Sequence, residues 1–398
     1  MTGTTATLLA ASSAPSPLYP VYQARFGFSA LTLTAVFAVY VLALLLSLLT
    51  VGRLSDYLGR RPVLAVALVV EAAAMVTFLG ADGVAALFAA RAVQGFATGA
   101  AVGVLGAYLL DLQPGGDSRL GSLVNSAAAT GGLGVGAAIT GVLVEYAAYP
   151  TRLVFVILTA AFLLLALTTA ILPETVERQP GATAALRPRV SVPLAARRAF
   201  VGAVPTFTST WMLGGLMLSV GGSLLGVVFG QTNHAVVGVA IGSFAGSAAA
   251  ASILLRHRSP TSMARIGTAL LLGGTALFVL ALVWSSLTTF VLGAVIAGTG
   301  FGPAFLGAFR SVSQLAAPRE RAALISAIYI VSYLAFSVPA LIAGLLIAQA
   351  GLRGTALAYG SVVALVAAGT LIHETYTARR SVIVVRAAGR GAARCEAA

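Results

Sequence analysis

The sequence contains no lysine, a single cysteine and few charged residues of either sign. Charged residues occupy 9% of its 398 positions, whereas soluble domains carry about 25%. So few charges cannot cover a water-facing surface, which argues against a set of soluble domains. The lone Cys395 excludes an internal disulfide. The three histidines are scattered and the sequence has no glycine-rich phosphate loop with a lysine, so we expect no metal, no cofactor and no ATP-driven step.

The basic excess consists of arginine alone and gives a net charge of +13. These arginines lie in short gaps between apolar runs rather than along a soluble surface, so we expect no nucleic-acid partner. Residues 1–11 carry no basic side chain, which a cleavable signal peptide requires. Cleavage near Ala11–Ala14 stays a minor alternative, and we interpret the segment as an uncleaved first helix.

Long apolar runs dominate the rest of the chain. A membrane-spanning helix needs about 20 mostly apolar residues, and twelve stretches qualify. They predict an all-α membrane protein with twelve transmembrane helices. The predicted spans are 4–22, 30–51, 62–81, 84–110, 121–145, 152–172, 200–222, 235–255, 263–284, 287–309, 322–349 and 354–373.

The arginines are concentrated on one side of the membrane in this predicted topology. Twenty of the 24 fall in segments on the side of the two termini, three fall on the other side, and Arg91 lies inside a span. Because basic residues concentrate in cytoplasmic loops, we expect a multi-pass protein of the cell inner membrane with both termini cytoplasmic.

The two halves of the chain are related by a shift of 203 residues. Gly95, Gly99 and Gly141 map onto glycines in spans 10 and 11, and Arg53 maps onto Arg256. A parallel repeat of six helices predicts two pseudo-symmetric six-helix bundles with a site between them near the bilayer midplane. We expect bundles at 1–173 and 200–375, joined by a proline- and arginine-rich cytoplasmic linker at 174–199 and followed by a basic cytoplasmic tail at 376–398.

The turn between spans 2 and 3 carries the most specific motif, from Gly52 to Leu64. Its glycines allow a tight turn, and Asp56 and Arg60 are four residues apart, so they can pair on one helical turn. The stretch resembles the loop 2–3 motif of the major facilitator superfamily, G-x-L-a-D-r-x-G-R-R-x-x-L, at its principal positions. The resemblance implies a secondary transporter in which the Asp lies near a helix start of the other half. The residues that it assigns to a conformational latch are Gly52, Asp56, Gly59, Arg60 and Arg61.

Span 4 carries a second resemblance to this family, the R-x-x-Q-G motif at Arg91, Gln94 and Gly95. An arginine within a span is costly and should face a cavity or a partner, and the resemblance implies a role in substrate or proton coupling. A structural arginine that reaches outward is the alternative. Leu172 to Thr175, after span 6, also resembles a family motif, with no chemistry that the sequence assigns.

Glu71 is the acid nearest the centre of a span. Glu71 and Arg91 are similar distances from the span 3–4 turn, so we predict a pair that assists proton coupling; a protonated, structural Glu71 is the alternative. Other polar or aromatic side chains predicted at the cavity are Tyr19, Tyr40, Asn125, Trp211, Tyr329 and Tyr333. A largely apolar, aromatic wall suits amphipathic solutes better than hydroxylated sugars.

The resemblance favours the drug and sugar efflux branch of the family. Span 5 partly resembles its antiporter motif, G-x-x-x-G-P-x-x-G-G, but Ala137 replaces the proline and Thr140 a glycine. We expect a monomeric, proton-coupled exporter of small organic molecules, with protons and a small-molecule substrate as its partners. Proton-coupled uptake of a sugar or another metabolite is the close alternative. A receptor or a membrane enzyme is a remote one, because no catalytic constellation and no output module is visible.

Overall fold

The computed structural model describes residues 1–111 and 118–395, with the side chains of 110, 118–126, 184, 318 and 377–395 left aside. This part of the chain is helical. Its helices are α1 Thr2–Ser13, α2 Tyr19–Phe26, α3 Ala30–Thr50, α4 Ser55–Leu58, α5 Arg60–Leu79, α6 Val84–Asp111, α7 Ser118–Tyr146, α8 Leu153–Thr169, α9 Ala182–Ala185, α10 Leu194–Phe229, α11 His234–Leu254, α12 Pro260–Trp284, α13 Leu287–Ser313 and α14 Pro318–Cys395.

The helices confirm an all-helical membrane architecture. Within the described residues, nine helices are long and apolar enough to cross a bilayer. One of them, α14, contains the last two predicted spans, which are separated by non-helical backbone at Gly351. Span 6 corresponds to the apolar α8, which has 17 residues. Span 1 is divided between α1 and α2. The loops at 51–54, 170–193 and 255–259 lie at one end of the bundle, here called the basic face, and the other end is the opposite face.

The first span is broken because of Pro15. The Ala14 N–H still donates to the Ala10 carbonyl at 3.0 Å, but proline has no N–H to continue the helix to Ala11. Ser16 then donates to Ser13 at 3.0 Å, in a tighter turn. The carbonyls of Ala11 and Ser12 therefore lose their helical partners inside the membrane body.

Two side chains of α6 replace those partners. Gln94 Nε2 donates to the Ala11 carbonyl at 2.9 Å, and Arg91 Nη1 donates to the Ser12 carbonyl at 3.0 Å. A backbone break at membrane depth persists only where neighbouring groups satisfy the freed polar atoms. The span 4 motif thus stabilises the break in the first helix.

Glycines let equivalent helices of the two halves pack in the same way. A Cβ added at Gly95 would lie 2.1 Å from the Tyr40 carbonyl oxygen on α3, and one at Gly298 would lie 2.0 Å from the Phe244 carbonyl oxygen on α11. These glycines are partners in the 203-residue repeat. The helix pairs α6–α3 and α13–α11 are therefore equivalent, as the repeat predicts.

Glycines also bring the halves together. A Cβ at Gly141 on α7 would lie 2.7 Å from Gly238 Cα on α11, and one at Gly344 on α14 would lie 2.0 Å from Thr34 Oγ1 on α3. Gln23 and Ser223 add a hydrogen bond of 3.1 Å between α2 and α10. Gly141, Gly344 and this bond lie toward the opposite face, so that face is held closed by close helix packing.

We predict that Gln94→Leu lowers the free energy of unfolding by about 1–3 kcal/mol, because the Ala11 carbonyl is left without a donor. The loss should be smaller when Pro15→Ala supplies an N–H at residue 15. A double-mutant cycle on detergent-solubilised protein, followed by thermal or denaturant unfolding, measures the difference. Gln179→Leu, in the exposed linker, is the matched control and should not depend on residue 15. Equal losses from Gln94→Leu in both backgrounds would contradict this account of the break.

Candidate functional site

Arg91 lies at the centre of the first six helices and is fully buried. Its Nε and Nη2 donate to the Tyr19 hydroxyl at 3.0 and 2.6 Å, and its Nη1 also donates to Gln94 Oε1 at 2.8 Å. The guanidinium carbon lies 5.0 Å from the ring centre of Tyr40, 5.5 Å from that of Tyr19 and 5.8 Å from that of Phe78. Ring faces attract cations, so the charge is stabilised by aromatic rings and dipoles.

Glu71 on α5 is also fully buried, but it does not pair with Arg91. Its Oε1 accepts from Thr98 Oγ1 at 2.5 Å, and its Oε2 has no hydrogen-bond partner among the described residues. The predicted ion pair is wrong because the crossing of α5 and α6 sets Phe78, two turns along α5, beside Arg91. Glu71 and Arg91 lie at similar distances from the connecting turn, but this did not bring their side chains into contact.

Tyr40 and Gly95 belong to the same group of residues around Arg91. The Tyr40 hydroxyl donates to Ser12 Oγ at 2.7 Å, which ties α3 to the broken helix. Gly95 has no room for a side chain against the Tyr40 backbone. Of the residues predicted here, Arg91, Gln94, Gly95, Tyr19 and Tyr40 come together, and Glu71 lies beside them on Thr98. The side chain of Asn125 falls outside the described residues.

The second half faces this group with an aromatic cluster around Trp211 on α10. The Trp211 ring centre lies 4.9 Å from Tyr333, 5.3 Å from Phe336 and 5.4 Å from Phe305. Tyr329 stacks on Tyr333 at 5.7 Å. The indole Nε1 is buried and has no hydrogen-bond partner among the described residues. Trp211, Tyr329 and Tyr333, three of the residues predicted at the cavity, therefore lie in one aromatic cluster, here called the aromatic wall.

Phe336 joins this wall to the first half. Its ring lies 5.1 Å from that of Phe37 on α3. This contact lies on the side of Trp211 that leads to the opposite face, whereas Tyr329 lies on the side that leads to the basic face. Tyr329, Tyr333 and Trp211 therefore follow one another from the basic face toward the Phe37–Phe336 contact.

The loop motif forms a network at the basic face. Arg60 forms an ion pair with Asp56, donates from Nε to Asp111 Oδ2 at 3.1 Å and donates from Nη1 to Ser55 Oγ at 2.8 Å. Thr175 Oγ1 donates to the same Asp111 oxygen at 2.9 Å. The described partner of Asp56 is thus in its own half, not in the other half as the resemblance implies.

Glu174 takes part in this network, although the sequence did not assign it a role. Its Oε1 accepts the backbone N–H of Arg60 at 2.8 Å and its Oε2 that of Arg61 at 3.1 Å. The carboxylate therefore caps the start of α5, where a negative charge is favourable. Gly59 has a φ of +98°, and a Cβ there would lie 2.6 Å from Glu174 Oε2. A glycine is required at this position to admit the carboxylate.

Gly52, the other glycine of the predicted latch, allows close helix packing. A Cβ at Gly103 on α6 would lie 3.0 Å from Gly52 Cα, so the turn after α3 lies directly against α6. The only sign of the Glu174 contact in the sequence is an acid that follows Pro173 directly after span 6. Among the described residues, no group of three or more His, Cys, Asp or Glu is placed to hold a metal ion.

Comparison with known proteins gives the family. Residues 1–338 match the family model of the Major Facilitator Superfamily. A curated "uncharacterized transporter" of Rickettsia bellii is 35% identical over 145 residues, which is 35% of this chain. The match spans about a third of the length of that relative, 34%.

Solved structures share the fold. A bacterial homologue of the human lysosomal transporter Spinster, in an inward-facing and unoccupied conformation, has a TM-score of 0.73 at 16% identity, over 94% of this chain and 95% of that one. The human organic anion transporter MFSD10 has a TM-score of 0.65 at 18% identity, over 93% and 98% of the two chains. At these identities the likeness concerns the fold alone. The chain belongs to the major facilitator superfamily, as a multi-pass membrane protein that acts as a secondary transporter and not as an enzyme.

Proposed function

We propose that this transporter exports small, largely apolar organic molecules in exchange for protons. The observation that carries the proposal is the pairing of a buried, incompletely bonded carboxyl group in the first half, Glu71, with an aromatic wall around Trp211 in the second. In this proposal the protein is a monomer of the cell inner membrane with both termini cytoplasmic. Bundles at 1–173 and 200–375 move about the site, joined by the linker at 174–199.

The packing between the halves supports alternating access. Close contacts at Gly141, Gly344 and Gln23 hold the opposite face shut. With the basic face assigned to the cytoplasm, this is the inward-facing state. Small residues allow the backbones to meet over a short contact, and such a contact separates without exposing large buried side chains. The outward-facing state would form when these contacts open and the basic face closes.

The aromatic wall defines the class of substrate. Flat rings, an unpartnered indole N–H and two tyrosines give a surface for an apolar or aromatic body that also carries a hydrogen-bond acceptor. Sugars need many polar partners, because each hydroxyl group that is removed from water requires a replacement bond. The described wall offers few of them, which favours amphipathic and aromatic solutes.

Glu71 is the proposed proton carrier. An ionised carboxylate with a single hydrogen bond in this surrounding is costly, whereas the protonated group has no net charge and still accepts the Thr98 hydrogen bond. Arg91 lies in the same layer, and four of its five N–H groups donate to Tyr19, Ser12 and Gln94. In this proposal Arg91 keeps the site positive, and loss of the Glu71 proton offsets that charge.

Uptake by symport is the second candidate. The observation in its favour is span 5, where Ala137 and Thr140 replace residues of the antiporter motif and are both fully buried. The direction of proton movement during transport separates the two candidates.

We predict that Glu71→Gln abolishes proton movement while substrate exchange continues, because the amide keeps the Thr98 bond and carries no exchangeable charge. A thermal-shift screen with aromatic and amphipathic organic molecules first selects a transported compound. Proteoliposomes with a pH-sensitive dye in the lumen then report proton movement, and labelled compound reports exchange. Asp82→Asn, an exposed acid in the turn between α5 and α6, is the matched control and should behave as wild type.

Two outcomes count against this proposal. Normal proton movement in Glu71→Gln assigns the residue a structural role. An absence of proton movement with every transported compound rejects both export and uptake by proton coupling.

We predict that Gly59→Ala and Glu174→Gln each reduce transport severalfold without preventing membrane insertion. The first displaces the carboxylate and strains a backbone with positive φ, and the second removes the charge that caps α5. The cap is exposed, so the loss of stability should be about 1 kcal/mol or less. Initial rates in vesicles and surface abundance are the measurements. Glu177→Gln, an exposed acid three residues further on, is the control, and an equal loss there would argue against a specific role for Glu174.

A further inference from the structure

A groove separate from the central site lies between the start of α10 and residues 366–373 of α14. Its volume is about 680 Å³, within the range of small-molecule pockets. Val201, Gly202 and Pro205 line one side, and Val366, Gly369 and Thr370 line the other. Arg197, Arg198 and His373 stand at its end on the basic face. The groove is thus basic at one end and apolar along its length.

We propose that this groove binds an anionic phospholipid. The phosphodiester would lie on Arg197 and Arg198, whose side chains are exposed and suit phosphate oxygens. Arg197 Nε donates to the Val192 carbonyl at 3.3 Å, so the phosphate would contact its terminal nitrogens. One acyl chain would run along Val201 and Pro205. Basic pockets between transmembrane helices on the cytoplasmic side are a known form of lipid recognition.

The dimensions fit this ligand. Arg198 and Pro205 are seven residues apart on α10, and Val366 and His373 are seven apart on α14, so each wall is about 10 Å long. One leaflet contributes about 15 Å of hydrocarbon. The groove therefore covers the headgroup and the upper part of one chain, and the remainder of the lipid stays in the leaflet.

The charges near the groove favour an anion from outside the chain. Glu374, which follows His373 along α14, accepts from Thr206 Oγ1 at 3.4 Å and lies near Arg265. One carboxylate carries a single negative charge and cannot neutralise both Arg197 and Arg198. The tail beyond residue 376 is a poor occupant, because its sequence adds five arginines and one acid, and like charges repel.

The test measures lipid binding by native mass spectrometry of the full-length protein in neutral detergent. Dioleoylphosphatidylglycerol is compared with dioleoylphosphatidylcholine, which has the same chains and no net charge. We expect the anionic lipid to bind more tightly and Arg197→Gln/Arg198→Gln to weaken it roughly tenfold or more. Arg256→Gln/Arg258→Gln removes two exposed arginines of the same face and should leave the affinity unchanged.

A second variant keeps both arginines and fills the groove. A Cβ at Gly202 has His373 Nε2 as its nearest neighbour, at 3.9 Å, so Gly202→Leu should fold and still weaken the anionic lipid. Unchanged binding in both groove variants, or an equal loss in the Arg256/Arg258 control, overturns the proposal. Competition by glycerol 3-phosphate at concentrations equal to those of the lipid would show a free-anion site instead, which also rejects it.

Discussion

The break in the first helix is the constraint on which the central site depends. Proline at residue 15 frees two carbonyls at a depth where water cannot satisfy them. Gln94 and Arg91 supply the donors, and this fixes α6 against both pieces of the helix. Tyr19, just after the break, then receives two bonds from Arg91. One backbone interruption thus places a cation, a tyrosine and an amide in a single layer.

The two halves use one helix arrangement for different chemistry. Glycine pairs at equivalent positions give α6–α3 and α13–α11 the same close approach. On this shared frame, the first half carries Arg91, Gln94 and Glu71, and the second carries the rings around Trp211. In the proposed function, this arrangement would give the proton and the solute separate binding partners, and both would respond to one change in the packing of the halves.

The sequence could predict the helical spans and the repeat, because each depends on local composition or spacing. Hydropathy marks the helices, and helical period places Tyr329 and Tyr333 on one face. The Glu71–Arg91 pair failed because contact between α5 and α6 depends on their crossing, which no spacing encodes. Glu174 was missed for a related reason: it lies 114 residues from the Arg60 N–H that it accepts. The role of Arg91 at the break required knowing which carbonyls Pro15 would leave open.

The loop network around Arg60 combines weak individual contacts with a defined geometry. Asp56 is 46% exposed, and exposed ion pairs contribute about 0.2–1 kcal/mol. The Glu174 cap is exposed too and contributes a similar amount. The described contacts all lie within the first half, so they need not break when the two halves move apart. Their value lies in geometry, because Glu174, Asp111 and Arg60 join α4, α5, α6 and the end of the sixth span into one unit.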